Sequence, residues 1–443
     1  MRATGARALV ALAAALCYAG TFRVPFLLDD PAPGDALDFR TRPLVAASFA
    51  LNRWWSGAET WSYHLVNLGL HVACAWLLLA LLARTLPRAA PELAPRARER
   101  FALVATLAWT CHPLQTAAVT YLSQRAEILG SLSLLACLYA FLRASEGPRR
   151  RTWPALSWAA LSVTALVLGL CTKQIALVAP ALVLAYDATF LAPGPRAALR
   201  ARGGLHALLG ATALLAFAVT TAPLLFGTRL TVGFRLPEFT ALEYARTQPG
   251  VILHYLRLAL WPHPLVFDHE WPIARTPGEW LPQTLALAAL LGLTVWLLRR
   301  RAWAGFALAS SFLVLAPTSS LVPIRDAAFE HRVYLPLAGW LVVLLGAGRG
   351  LAARWPPHGP RLAGLAAAGL VLALGLATVR RNRDYRSVTA LWQTVVARAP
   401  HNERAHYHLA TGLAAEGRET EAVAALEQAL VLDPAYPQAL NRL

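Results

Sequence analysis

Apolar stretches of roughly 18–22 residues recur along this chain, each about the length that crosses a bilayer as a helix. They fall near 7–28, 62–83, 102–121, 127–142, 153–172, 174–191, 205–226, 281–298, 302–317, 333–348 and 362–379. In lipid every backbone N–H and C=O must bond internally, so such repetition predicts an all-α polytopic membrane protein. Composition agrees. Of 443 residues, 57% are hydrophobic and only 15% are charged, where a soluble domain carries about 25% charge. The net charge of +17 comes almost wholly from Arg placed between the apolar stretches, and Lys173 is the single lysine. That distribution is a topology signal rather than a nucleic-acid footprint.

With the N-terminus cytoplasmic, the loops that fall inside are 84–100, 143–152, 193–204, 299–301 and 349–361. Together with Arg2 and Arg7 they hold 20 Arg, against four acidic residues on that side: Glu92, Glu99, Glu146 and, at a helix end, Asp187. The positive-inside rule therefore supports eleven crossings and a C-terminal segment on the opposite face. Arg2 and Arg7 before an apolar run also resemble a cleavable signal, but apolar character persists to Leu28, and the segment reads as a retained first helix. Residues 248–262 are apolar but short, with His254 and Arg257 inside, and are expected to form an interfacial or re-entrant helix. All five cysteines lie in or at the edge of apolar stretches, so neither a disulfide framework nor a zinc site is expected.

The polar end differs in kind. In residues 403–434, Leu409, Ala410, Leu413, Gly417, Ala422, Leu426, Ala429 and Pro434 stand at tetratricopeptide spacing. Ala390–Pro400 reads as the second helix of a degenerate repeat and Tyr436–Leu443 as the first of another. The expected division is a membrane domain over 1–380 and a helical tail over 381–443. So short an array is expected to pack on the membrane domain, as a structural cap or as a cradle for a partner.

Polar residues gather on the face opposite the Arg-rich loops. The first outer loop carries adjacent aspartates, Asp29 and Asp30, where an apolar run ends. The second has Arg125 and Glu127 at a helix start, the third Lys173, and the loop before the tenth span Glu330, His331 and Arg332. Charges at membrane depth cost about 2.5–3.5 kcal/mol each even on lenient scales, so such a gathering on one face suggests a site. In "YHLVNLGLH", His64, Asn67 and His71 share one helical face. The two histidines are roughly 10 Å apart along the axis, too far for one metal ion, and an interhelical hydrogen-bonded stripe is expected. Asp268, His269 and Glu270 are consecutive in a loop, a weak metal signal.

These pieces are similar to the transmembrane-and-TPR O-mannosyltransferase family, within the polytopic GT-C glycosyltransferase fold. The resemblance rests on "LLDD", "RPLVAASFALN", "YHLVNLGLH", "HPLQTAAVTYLSQRAEIL", "TKQ", "EHRVYLP" and the terminal repeat, taken in order. It implies a polyprenyl-phosphate sugar donor and a hydroxyl acceptor, most often protein Ser or Thr, used on the non-cytoplasmic face by an inverting single displacement. It implies that Asp29 and Asp30 supply the base and its partner, and that Arg125, Glu127, Lys173, Glu330, Arg332, His112 and His64 bind the donor phosphate or the substrate. No metal ligand is implied, though a divalent cation stays open as a cofactor. Expected partners are the lipid-linked sugar, an acceptor protein or glycan with the tail as its candidate holder, and membrane lipids, with no nucleic acid. The expected location is a bacterial inner membrane with the tail periplasmic. Gln115 and Ala117 stand where the family has His and Glu, and Gln174 where it has Glu. A non-catalytic scaffold whose tail recruits a secreted partner is the alternative reading, and a transporter a more distant one.

Overall fold

In the computed structural model, which describes every residue except 1–2, 33, 147–151, 228–230 and 356, each of the eleven apolar stretches is helical over most of its length. Arg2 and Arg149–Arg151, which the topology reading uses, lie outside the described residues. The helices are α1 (Ala3–Tyr18), α2 (Pro43–Ser56), α3 (Trp61–Ala89), α4 (Pro95–Thr110), α5 (Thr116–Val119), α6 (Arg125–Ser145), α7 (Trp153–Leu170), α8 (Ala179–Tyr186), α9 (Pro195–Ala216) and α10 (Ala222–Phe226). They continue with α11 (Ala241–Leu260), α12 (Pro277–Arg299), α13 (Trp303–Leu315), α14 (Pro336–Ala352) and α15 (Gly359–Asn382). The tail holds α16 (Val388–Arg398), α17 (Glu403–Ala415), α18 (Glu419–Leu432) and α19 (Pro437–Leu440). Among the described residues there is no strand, and eight helices are long and apolar enough to cross a membrane. The protein is an all-α polytopic membrane protein.

Three stretches differ from expectation. α13 and α14 are apolar but shorter than the eight. The expected span 102–121 is broken, with α4 ending at Thr110. Pro113 denies its predecessor the α region, so His112 is extended (φ −74°, ψ 132°) and its side chain accepts from the Leu114 N–H in the turn that follows. The run 248–262 is the second half of a longer helix, α11, whose start is fixed upstream by a Thr240–Glu243 capping box. α11 is not among the eight.

The core is one apolar cluster linking α1, α3, α4, α6, α8 and α14. Several polar residues inside it are paired across helices. His71 Nδ1 lies 2.8 Å from the Tyr334 hydroxyl and its Nε2 3.2 Å from the Thr110 carbonyl, while Trp109 Nε1 donates to the Tyr334 carbonyl at 2.8 Å. Asn67 donates to Val119 O, and His64 meets Val24 O. The expected stripe along α3 is therefore real. Close helix approach uses small residues: a Cβ on Gly339 of α14 would stand 2.1 Å from the Ala307 carbonyl of α13.

The tail is two packed layers. α17 and α18 form an antiparallel pair around Ala410, Leu413, Ala422 and Leu426, joined through Gly417 at φ +76°, a conformation that favours glycine. α16 instead turns inward. Its Leu391, Trp392 and Val395 share a cluster with Val24, Leu27, Tyr121 and Phe267 of the membrane-domain loops. The tail thus packs where the loop after α1 lies.

Candidate functional site

The first loop leaves the membrane helix as an extended segment at Val24, whose carbonyl is held by His64. Leu28 then takes φ +40°, a left-handed conformation that costs a non-glycine residue about 1–3 kcal/mol. The two aspartates that follow are not equivalent. Asp30 is buried, and its oxygens accept from the Leu27 N–H at 2.9 Å and the Ser123 N–H at 2.5 Å. Burial pushes its pKa up to about 8, against the pull of those two amides. Asp30 ties the first loop to the turn before α6.

Asp29 is exposed. The Tyr121 hydroxyl donates to its carboxylate at 3.4 Å and accepts from its backbone N–H at 3.3 Å. Surrounding protein strips part of the carboxyl's solvation and raises its pKa above the usual carboxylate range. Tyr121 and Arg404 pull it down and Asp326 pushes it up. An accessible carboxylate of raised basicity, fixed by a phenol, is suited to taking a proton from a hydroxyl.

The cations divide likewise. Lys173, nearly buried at the end of α7, pairs with Glu127 Oε2 at the start of α6. Burial holds its ammonium below the ordinary value. Glu127 opposes that shift, and Arg42 and Arg332 add to it. The same three cations together depress the neighbouring His331, after burial itself. Glu127 Oε1 is buried and accepts no hydrogen bond among the described residues. Lys173, Arg332 and Arg42 thus bring positive charge together here, and such a place suits an anion. Beside Lys173, a cavity of about 310 Å³ opens between Arg40, Thr41, Leu170, Gln174, Thr220 and Thr221.

Other expected site residues are committed to backbone and packing. Arg125 is fully buried. Its Nε donates to Asn67 at 2.7 Å, Nη1 to Asn52 at 2.7 Å and Ser48 at 3.2 Å, and Nη2 to the Tyr63 carbonyl at 3.1 Å, with Phe49 stacked 4.0 Å away. It is the hub joining α2, α3 and α6, and its fork is occupied. His112 bonds Leu114 N and Ala259 O. Glu330 accepts from the Val266 N–H at 2.6 Å and lies 3.5 Å from His269, which fixes the loop after α11, while its buried Oε2, 3.8 Å from Arg381, accepts no hydrogen bond among the described residues. Arg332 donates to the carbonyls of Ala327 at 2.8 Å and Asp326 at 2.6 Å. Carbonyls take its hydrogen bonds, the Asp326 carboxylate also acts on it, and its charge is felt at Lys173. Among the described residues no three His, Cys, Asp or Glu side chains are grouped to hold a metal ion, the Asp268–Glu270 run included.

The segment 326–332 links the two halves, with Asp326 toward Asp29 and Arg332 toward Lys173. Sequence reading passes over Tyr121 and Arg404, and gives Asp268 only as part of a weak metal signal. Arg404, on α17, forks onto Asp268 at 2.8 and 2.7 Å and reaches Asp326 at 2.7 Å. Tyr121 stands inside a motif already noted, but nothing local marks Arg404, because its partners are more than seventy residues away.

Relatives carry matching names. The chain is 28% identical to the protein O-mannosyl-transferase TMTC4 of Mus musculus, over 86% of this chain and 56% of that protein. It is 25% identical to Tmtc3 of Drosophila melanogaster, over 88% of this chain and 48% of that protein. It is 24% identical to TMTC1 of Homo sapiens, over 99% of this chain and 56% of that protein. The chain spans about half the length of the curated relatives it matches. No family model and no solved structure matches. The resemblance to the transmembrane-and-TPR O-mannosyltransferases thus runs over most of the chain.

Proposed function

We propose that this membrane protein is a glycosyltransferase that moves a sugar, mannose by likeness to the names of its relatives, from a polyprenyl phosphate to a protein Ser or Thr hydroxyl. The observation that carries the reading is Asp29: an exposed carboxylate of raised pKa, fixed by Tyr121 and separated only by the 326–332 segment from the positive charge of Lys173 and Arg332. In the reaction, Asp29 takes the acceptor proton as the hydroxyl oxygen bonds the anomeric carbon. The bond from that carbon to the phosphate oxygen breaks, and the lipid phosphate leaves with its electron pair. A single displacement inverts the sugar carbon. The leaving phosphate needs no general acid, and Lys173, Arg42 and Arg332 receive its charge. Glu127, with one oxygen on Lys173, offers the other to a sugar hydroxyl. Asp30, Arg125, His112, His64 and Glu330 hold the frame around these groups.

The proposed orientation follows the Arg bias: N-terminus cytoplasmic, site and tail on the opposite face, in a bacterial inner membrane. The fully occupied Arg125 favours a second reading, a non-catalytic scaffold whose tail recruits a partner. Membranes containing the protein, given a panel of radiolabelled polyprenyl-phosphate sugars and a Ser/Thr-rich acceptor peptide, separate the two. Label on the peptide from one donor supports the transferase and names the sugar. No label from any donor supports the scaffold.

A further inference from the structure

The tail does more than lie against the membrane domain, because it grips one loop at three successive points. Arg398 of α16 donates to the Leu265 carbonyl. Trp392 of α16 meets the Phe267 ring edge-on, with centroids 5.7 Å apart at 87°. Arg404 of α17 forks onto Asp268. Phe267 in turn meets Tyr121 edge-on at 5.0 Å and 70°, and Tyr121 holds Asp29 by both its N–H and its carboxylate. The two segments joined this way each contain a non-glycine residue at positive φ, Leu28 at +40° and Glu270 at +41°. Such conformations persist only where surrounding contacts over-determine them. Trp392 is itself locked, stacked on His408 of α17 at 4.6 Å and 19°. A continuous packed path therefore runs from the repeat helices to the carboxylate.

We infer that Tyr121 is the positioning residue of Asp29, and that the tail, through Trp392 and Phe267, sets that position, so sugar transfer depends on how α16 and α17 are seated. The inference rests on the proposed transferase reading for its catalytic meaning. The coupling itself is measurable without turnover. Groups facing Asp29 are Tyr121 from the turn before α6, Asp30 beside it, Arg404 from α17 and Asp326 from the 326–332 segment. Tyr121 and Arg404 both favour its ionised form. Losing either raises the pH at which the base becomes active.

The test uses the full chain in nanodiscs with Tyr121→Phe, Trp392→Leu and Trp392→Phe. Amide exchange over residues 26–31, followed by mass spectrometry, is expected to speed up at least threefold in Tyr121→Phe and Trp392→Leu and to stay near wild type in Trp392→Phe. In the transfer assay, the acid limb of the pH profile should move to higher pH in the first two and return in Trp392→Phe. A merely structural role would lower the rate at every pH without moving that limb. Unchanged exchange and an unmoved limb in folded Trp392→Leu overturn the inference. A wild type that transfers no sugar overturns the transferase reading and the catalytic meaning of the path. Exchange then shows separately whether the mechanical coupling holds.

Discussion

At Asp29 and Asp30 the chain sets the same side chain in two environments one residue apart. Asp30 turns back onto the amides of Leu27 and Ser123, while Asp29 stays at the surface beside Tyr121. The two should therefore separate on mutation. Asp29→Asn is nearly isosteric and should leave the thermal midpoint close to wild type while lowering transfer about 10²–10⁴-fold. Asp30→Ala leaves two amides without their acceptor at about 1–3 kcal/mol each, so its detergent melting point should fall clearly. If Asp30→Ala melts like wild type, the tether is not holding the loop. The sign of the pH dependence follows from Asp29. Its pKa lies above the ordinary carboxylate value, so the ionised base is present above that raised value and is lost as pH falls through it. The rate profile should show an acid limb with a midpoint above the usual 3.8. A profile flat down to that value would exclude Asp29 as the base. Lys173 and Glu127 form a buried pair, and removing one partner alone costs about 3–5 kcal/mol. Lys173→Met should be unstable, whereas Lys173→Met with Glu127→Leu should regain the fold but not the activity, read by melting and transfer on the same samples.

Arg125 shows how element packing, rather than the site, can own a charged residue. Its four donor contacts reach Asn67 and Tyr63 on α3 and Ser48 and Asn52 on α2, from the first turn of α6. Hydrogen bonds to a charged group contribute about 1.5–3 kcal/mol each, so Arg125→Met should abolish accumulation of folded protein. A stable Arg125→Met with only a raised KM for donor would instead return this residue to the phosphate site. The same scale sets how far the sequence could be read. Helices and the His64–Asn67–His71 stripe were legible because periodicity is local, and the repeat pair because Gly417 and its small residues stand at fixed spacing. The break at His112–Pro113 was written in the chain but hidden by apolar residues on both sides. Arg125 reads as a site cation because sequence shows its charge and not its partners. Arg404 was illegible because its ligands, Asp268 and Asp326, come from other elements.

Across the whole molecule, the packed core and the tail converge on the loop that carries Asp29 and Asp30. α16 covers Val24, Leu27, Tyr121 and Phe267, an apolar face that removal of α16–α19 would expose. That deletion should give protein that inserts but aggregates on extraction, checked by size-exclusion chromatography in mild detergent. At the far end of α3 from His64, a second cavity of about 390 Å³ is lined by apolar residues including Leu78, Leu82, Phe306 and Val342, and it shares no lining residue with the site. The central claim is that Asp29 activates an acceptor hydroxyl. It is tested most directly by comparing wild type, Asp29→Asn and Asp30→Asn at matched folded levels, counting label moved from a polyprenyl-phosphate sugar to a Ser/Thr peptide. Transfer in wild type, its loss in Asp29→Asn with an unchanged melting curve, and partial activity with lowered stability in Asp30→Asn is the predicted result. Equal transfer by Asp29→Asn and wild type would contradict it.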